Sequence, residues 1–353
     1  MQNCMNKYRN EFSIKFAQIM GQNLNVWKAI QNQEIRSLYN WKSILEYIGI
    51  GLLGFVPGKR EYNYNLELHC WLAVIFFIGA IIFNIQTTNK TYQNKIKSSL
   101  FPELLKVFGK NIFYDKSGGI IGNFLTDSVL KDDDIAQIVS DFDDYGAKQL
   151  IPNAYFENSQ LYSRKITQRD DDDCFSGEYN NVKFEMNETD FGWNANDKHR
   201  TYNRMFKGLA MKFKMNKEIY PRVLILSKFS FTKIPPNFER VTLEYEKFNK
   251  KFDVWVEKLS GAASGQVEAR YLLNTAFMNR FMQIQTSFKV RKMCCSVYSN
   301  NLLIMLSTNK DLFEMNHLLG RIDDIKQYKH LFDEFTSVLS FIDVLNLSSK
   351  TKL

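Results

Sequence analysis

The sequence predicts an α+β protein: an N-terminal helical arm, a two-helix membrane hairpin, then a soluble domain with a mainly antiparallel sheet and flanking helices. Three observations carry this. Two apolar runs, 44–56 and 66–85, stand near the start with only the polar link 57–65 between them. From Gln160 onward apolar residues recur at alternate positions, the period of a strand with one buried face. From Gly320 to Leu347 they return to spacings of three and four, the period of a helix. The expected organisation is an amphipathic arm over 1–43, a hairpin over 44–86 and an α+β domain over 87–353.

The arm carries Tyr8, Phe12, Phe16, Ile19, Met20, Trp27 and Ile30 on one stripe, with a break expected near Gly21. The second apolar run (LELHCWLAVIFFIGAIIFNI) reaches the roughly 20 residues that a spanning helix needs. The first covers about 20 Å at about 1.5 Å per residue, so it needs snorkelling by Lys42, Lys59 and Arg60 and local thinning of the bilayer. Lysines and arginines crowd both flanks (Lys7, Arg9 and Lys15 before, Lys90, Lys95 and Lys97 after). The positive-inside rule then places both termini in the cytoplasm and the link outside. The sequons at Asn89, Asn187 and Asn346 would go unused.

Beyond the hairpin, Pro102 marks an expected new helix start. A helix is expected over Asp132–Lys148, opened by aspartates facing its positive dipole end. Strands are expected at 161–166, around Val182, Phe184 and Met186, at 205–215, 222–227, 241–243 and 251–256. Asn180 and Asn181 suit a turn. Helices follow over 267–273 and 275–284, then a hairpin of 293–298 and 302–307 turning at Asn300 and Asn301, then the C-terminal helix.

The net charge of +8 is spread along the chain, which argues against a nucleic-acid binder. Five scattered cysteines, Cys4, Cys70, Cys174, Cys294 and Cys295, form no C-x-x-C pair. That argues against a disulfide framework and for a reducing compartment. The four histidines show no ligand spacing with them, so no zinc site is expected.

The segment 266–273 (QVEARYLL), followed by 276–280 (AFMNR), resembles the signature of the domain of unknown function 3137 family. Residues 171–185 with Gly177 and Phe184, 206–209 (FKGL), and 241–244 (VTLE) with Phe248, Phe252 and Val254 are similar to it too. The resemblance runs over roughly 40–345. It implies a bacterial inner-membrane, multi-pass protein with a cytosolic domain, the lipid bilayer as partner, and a LemA-type membrane protein as a possible second partner. The family has no established activity. Asn274 and Thr275 stand where the family has Thr-Pro, and the loop 260–265 looks inserted. The motif residues Glu268, Ala269, Arg270, Tyr271, Phe277 and Arg280 are read as structural, with Arg270 bracing its helix on the sheet through a partly buried pair with Glu244 or Glu246.

No catalytic residue, cofactor or metal site is assigned. No nucleophile elbow, phosphate loop or dinucleotide fingerprint is present. The expected function is a membrane-tethered interaction or scaffold protein on the cytoplasmic face. The alternative is a membrane-associated metal-dependent hydrolase using Asp132–Asp134, Asp141–Asp144 and Asp170–Asp173, which requires those carboxylates to converge.

Overall fold

The computed structural model describes residues 2–38, 49, 66–108, 112–115, 149–195, 201–228, 233–258, 265–314 and 318–350. The first apolar run apart from residue 49, the link and the expected helix at Asp132–Lys148 lie outside these. The chain divides into two compact units. One comprises Lys7–Leu104 with Glu314–Tyr328; the other comprises Met1–Asn6, Leu105–Phe313 and Lys329–Leu353.

The helical unit is built on α1 (Gln2–Leu38) and α2 (Leu66–Leu105). The expected break at Gly21 does not occur: α1 runs through it, and Phe16, Met20, Trp27 and Glu34 form one buried stripe. A single glycine costs a helix only about 1 kcal/mol, less than this burial supplies. Helix α2 likewise runs through Pro102. The proline removes one backbone bond near the helix end, while Phe101, Leu104 and Leu105 bury their side chains around it. Among the described residues no helix is long and apolar enough to cross a membrane. Along α2, most of the apolar side chains described between Trp71 and Ile85 are exposed.

The second unit is an antiparallel sheet with helices on it, as the sequence predicts. Its elements are β1 (Ile112–Asp115), α3 (Asn153–Asn158), β2 (Gln168–Tyr179), β3 (Val182–Asn194), β4 (Tyr202–Ser227), β5 (Phe238–Val241), α4 (Glu246–Asn249), β6 (Phe252–Glu257), α5 (Gln266–Leu272), α6 (Thr275–Ser287), β7 (Lys292–Ser307) and α7 (Ile325–Lys350). The seven strands run β1-β2-β3-β4-β6-β5, and β7 also pairs with β4. Strand β4 is the spine. Its first half lies between β3 and the end of β7, its second half between β6 and the start of β7.

Asn180 and Asn181 turn β2 into β3 as expected, both with positive φ, the backbone of a tight hairpin turn. The other asparagine pair behaves differently. Residues 292–307 form one continuous strand, with no hairpin at Asn300–Asn301. Both halves of β7 find partners along β4, and the pairing shifts register between Lys214 and Val223. The turn-favouring residues are absorbed as an irregularity beside Ser299, which has positive φ. Residues 161–166 also form no strand; Leu161 is buried while its neighbours are tied to side chains and to the end of β3.

The two faces of the sheet are covered differently. On one face Phe175, Phe213 and Phe252 meet the rings of Phe335, Phe341 and Phe281 from α7 and α6. On the other, Ile151, Phe156 and Leu161 cover Phe191, Phe206, Ala210, Leu224 and Met305. Gly208, at φ +144°, permits the close approach of β4 to β7: a Cβ there would lie 2.0 Å from the Leu306 carbonyl oxygen.

Candidate functional site

Three polar clusters in the sheet unit merit comparison. The first stands on the helix-covered face. Strand β3 alternates Val182, Phe184 and Met186 into the core; the next position in that alternation is Glu188, also buried. A bulge in β2 between Asp172 and Phe175 turns Asp173 inward at φ 43°, where the Tyr114 hydroxyl donates to it at 2.6 Å. Asp311 follows β7 and offers an oxygen within 4.8 Å of one on Asp173. The Leu312 amide donates to Glu188 at 2.6 Å. Burial, chiefly, pushes Glu188 up to about 9, with Asp173 and Asp311 adding to it and the Leu312 amide opposing. Glu188 is therefore protonated at neutral pH and shares a side-chain hydrogen bond with Asp311. Tyr114 is pushed far above its ordinary value by burial and by Asp173. This cluster can store a proton.

The aspartate run 170–173 does not act as a unit. Asp170 is exposed, Asp171 pairs with Arg169 at 2.7 Å, and Asp172 accepts from the Asp173 amide. Only Asp173 joins the buried carboxyl cluster. Asp132–Asp134 and Asp141–Asp144 lie outside the described residues. Sequence reasoning missed Glu188, Asp311 and Tyr114. The signal for Glu188 was present, as a carboxylate at the buried phase of an alternating strand.

The second cluster is on the opposite face, where Arg169, Asp171, Asn187 and Thr189 come together through the β2–β3 register. The Arg169 guanidinium donates to Gln149, to the Ile151 carbonyl and to Asn153 and lies over the Phe156 ring. It thereby ties the segment 149–156 to the sheet. Asn187 is completely buried, and neither its amide oxygen nor its nitrogen has a partner among the described residues. Full burial excludes a glycan at this sequon.

The third feature is a cleft of about 360 Å³, lined by Tyr162, Arg164, Trp193, Phe206, Lys233 and Lys292 among others. Its wall is the segment that the sequence reads as a strand. Thr167 donates its amide to Gly192 and accepts from the Asn194 amide at 2.8 Å; Glu157 accepts from the Ile166 amide. So anchored, the segment sets the Arg164 guanidinium 4.8 Å above the Trp193 ring. At the floor, Tyr162 and Cys294 share a hydrogen bond. Burial raises both, Cys294 to about 12, so each is neutral at physiological pH.

The motif residues of the sequence reading gather on α5 and α6. Ala269 and Phe277 are buried, Tyr271 and Arg280 half-buried, Glu268 exposed. Leu272, Leu273, Met278 and Phe281 face the core as expected. Arg270 corrects the expectation: it is exposed, and its guanidinium reaches Gln266 one turn back at 3.4 Å rather than Glu244. At period 3.6, burying Ala269 and Leu272 turns residue 270 outward. The missing proline at Thr275 is offset by Asn274, whose side chain accepts from the Phe277 amide at 2.9 Å as an N-cap.

The family described as protein of unknown function (DUF3137) matches residues 204–347, from β4 through most of α7. The family resemblance read from the motif is thus shown, and the cleft is built partly inside this segment and partly before it. No curated protein matches the chain. Among solved structures, a similarity is found to the crystal structure of the mycobacterial trehalose monomycolate transport factor A, TtfA. It has 7% identity and a TM-score of 0.30, covering 54% of this chain and 82% of that one. A score that low carries no structural argument.

Proposed function

We propose that the protein is a membrane-tethered interaction module of the bacterial inner membrane, with α2 entering the lipid through its first half and the sheet unit presented on the cytoplasmic face. One observation carries this reading. Trp71, Ile75, Ile78, Ile82, Phe83 and Ile85 are all exposed on one helix, with further exposed apolar side chains between them. A contiguous apolar surface of this kind marks a contact with lipid or protein. With Leu72, Val74, Phe77 and Ile81 these residues cover about two thirds of the helix circumference at about 100° per residue, wider than the stripe that a single partner helix needs. The first apolar run, as the other arm of a hairpin, and the cytoplasmic position of both termini belong to the same proposal and rest on sequence and charge bias. A LemA-type partner rests only on the family resemblance.

The hydrolase alternative has weaker support. Of the aspartate run on β2 only Asp173 enters the carboxyl cluster, whereas that reading needs the three acidic runs to converge.

The test is topological. In a cysteine-free background, a cysteine at Lys59 should react with an impermeant maleimide in intact cells, and cysteines at Lys7 and Lys350 should not. Extraction of the whole chain as a soluble protein at high pH would overturn the tether. Labelling at Lys350 without labelling at Lys59 would overturn the orientation.

A further inference from the structure

We infer that the cleft beside Trp193 is a binding site for an organic phosphate, with the phosphate at Arg164, Lys233 and Lys292 and its apolar or planar body against Tyr162 and Phe206. This goes beyond the membrane tether and does not depend on it. Three cationic side chains line one cleft, and no carboxylate is among the described residues lining it. Such a one-signed lining raises the local concentration of anions and selects for them. Arginine and lysine together are the usual phosphate pair, the first as a planar donor fork and the second as a point charge. Arg164 over Trp193 is braced by the ring face, while the edge of its guanidinium stays available to donate.

The rest of the cleft is uncharged. Tyr162 and Cys294, held neutral by burial, place no negative charge under an incoming anion. Met205 and Phe206 supply apolar wall. A volume of about 360 Å³ lies near the lower end of small-molecule pockets. It admits a phosphate head with a compact body and excludes a whole diacyl lipid. The same chemistry fits the head of an anionic phospholipid or a free nucleoside monophosphate.

Calorimetric titration of the full chain separates these sources. The chain is held in phosphatidylcholine nanodiscs or, where it proves soluble, in buffer, so failure of the tether does not prevent the test. The probes are dibutanoyl phosphatidylglycerol, adenosine monophosphate and inorganic phosphate. One organic phosphate should bind at a 1:1 ratio, more tightly than inorganic phosphate, and weaken as salt is raised. The double variant Arg164→Gln, Lys233→Gln should lose roughly tenfold or more in affinity, on the scale of lost charge-assisted hydrogen bonds. Both side chains are exposed, so its melting curve should match the parent. Trp193→Ala, which removes the ring that braces Arg164, should weaken the organic phosphate and inorganic phosphate alike. Binding of the lipid head or of the nucleotide each supports the site and names its source. No binding of either organic probe at about 1 mM, inorganic phosphate binding as tightly as both, or full affinity in the double variant would each overturn it.

Discussion

The two halves of α2 make a contrast within one unbroken helix. Over 71–85 the residues are almost wholly apolar, yet most of the described side chains are exposed. Over 88–104 lysines, threonines and a glutamine are interspersed, yet Tyr92, Ile96, Leu100, Phe101 and Leu104 are buried. Composition alone would order the two halves the other way. What decides is the pattern: the second half places its large side chains three and four apart, which defines one face to bury. The first half has no polar face and so no preferred side to turn inward. Even the polar groups of the second half go inside where a partner exists. Lys97 is only 2% exposed and donates to Glu314 at 2.8 Å within the helical unit.

The largest expected effects break this contrast directly. Ile96→Ala in the second half should cost about 2–5 kcal/mol of stability, as deletion of a fully buried side chain does. The pair Ile75→Lys, Ile82→Lys in the first half should leave the urea midpoint of the folded units unchanged. It should instead release the chain from the membrane fraction, since a lysine at bilayer depth costs about 2.5–3.5 kcal/mol. Urea denaturation and membrane flotation read the two outcomes separately. If the lysine pair unfolds the protein and leaves flotation intact, the exposed half is a protein contact and the tether lies elsewhere.

A buried acid in the sheet unit sharpens the same lesson, that a polar group inside needs a specific arrangement. Glu188 ionises near 4.5 when unfolded and near 9 in the native state. Between those values the unfolded chain has released a proton that the native protein still holds. Stability therefore falls as pH rises from about 4.5 to about 9, by up to about 1.4 kcal/mol per pH unit for this one proton. Glu334, buried on α7 and pushed up to about 8, adds a slope of the same sign up to that pH. Glu188→Gln keeps an acceptor for the Leu312 amide and a donor for Asp311. It should flatten the decline and raise the urea midpoint at pH 8. An unchanged slope would remove Glu188 as the proton store.

Much of the fold was legible because its signals are local. The alternation at Val182, Phe184 and Met186, the turn at Asn180–Asn181 and the 3.6 period of α5 and α6 all decide their own structure. Residues 292–307 were misread because Asn300 and Asn301 favour a turn locally, while the long partner β4 keeps the strand running. The bulge that turns Asp173 inward, and the approach of Asp311 to it, depend on pairing between segments far apart in sequence. Nothing in the run of four aspartates distinguishes the exposed position of Asp170 from the buried one of Asp173. The cleft is likewise assembled from residues between 161 and 307, with no spacing that announces it.

Smaller effects belong to the family motif, which divides as α2 does into positions that face inward and positions that do not. Asn274→Ala should cost about 1 kcal/mol, because it removes the N-cap that satisfies the Phe277 amide. Arg270→Ala should change stability by no more than about 0.5 kcal/mol, the range of surface substitutions. The sequence suggested a partly buried ion pair with a far larger penalty. In the structure the guanidinium is exposed and holds only a long hydrogen bond to Gln266 on its own helix, an interaction that water replaces at little cost. Ala269 beside it is fully buried and belongs to the scaffold; Arg270 does not. Urea denaturation of the full chain with each substitution checks both values. A loss of several kcal/mol for Arg270→Ala would restore the bracing pair. An unchanged midpoint together with a lost cellular phenotype would place Arg270 on a surface used for binding.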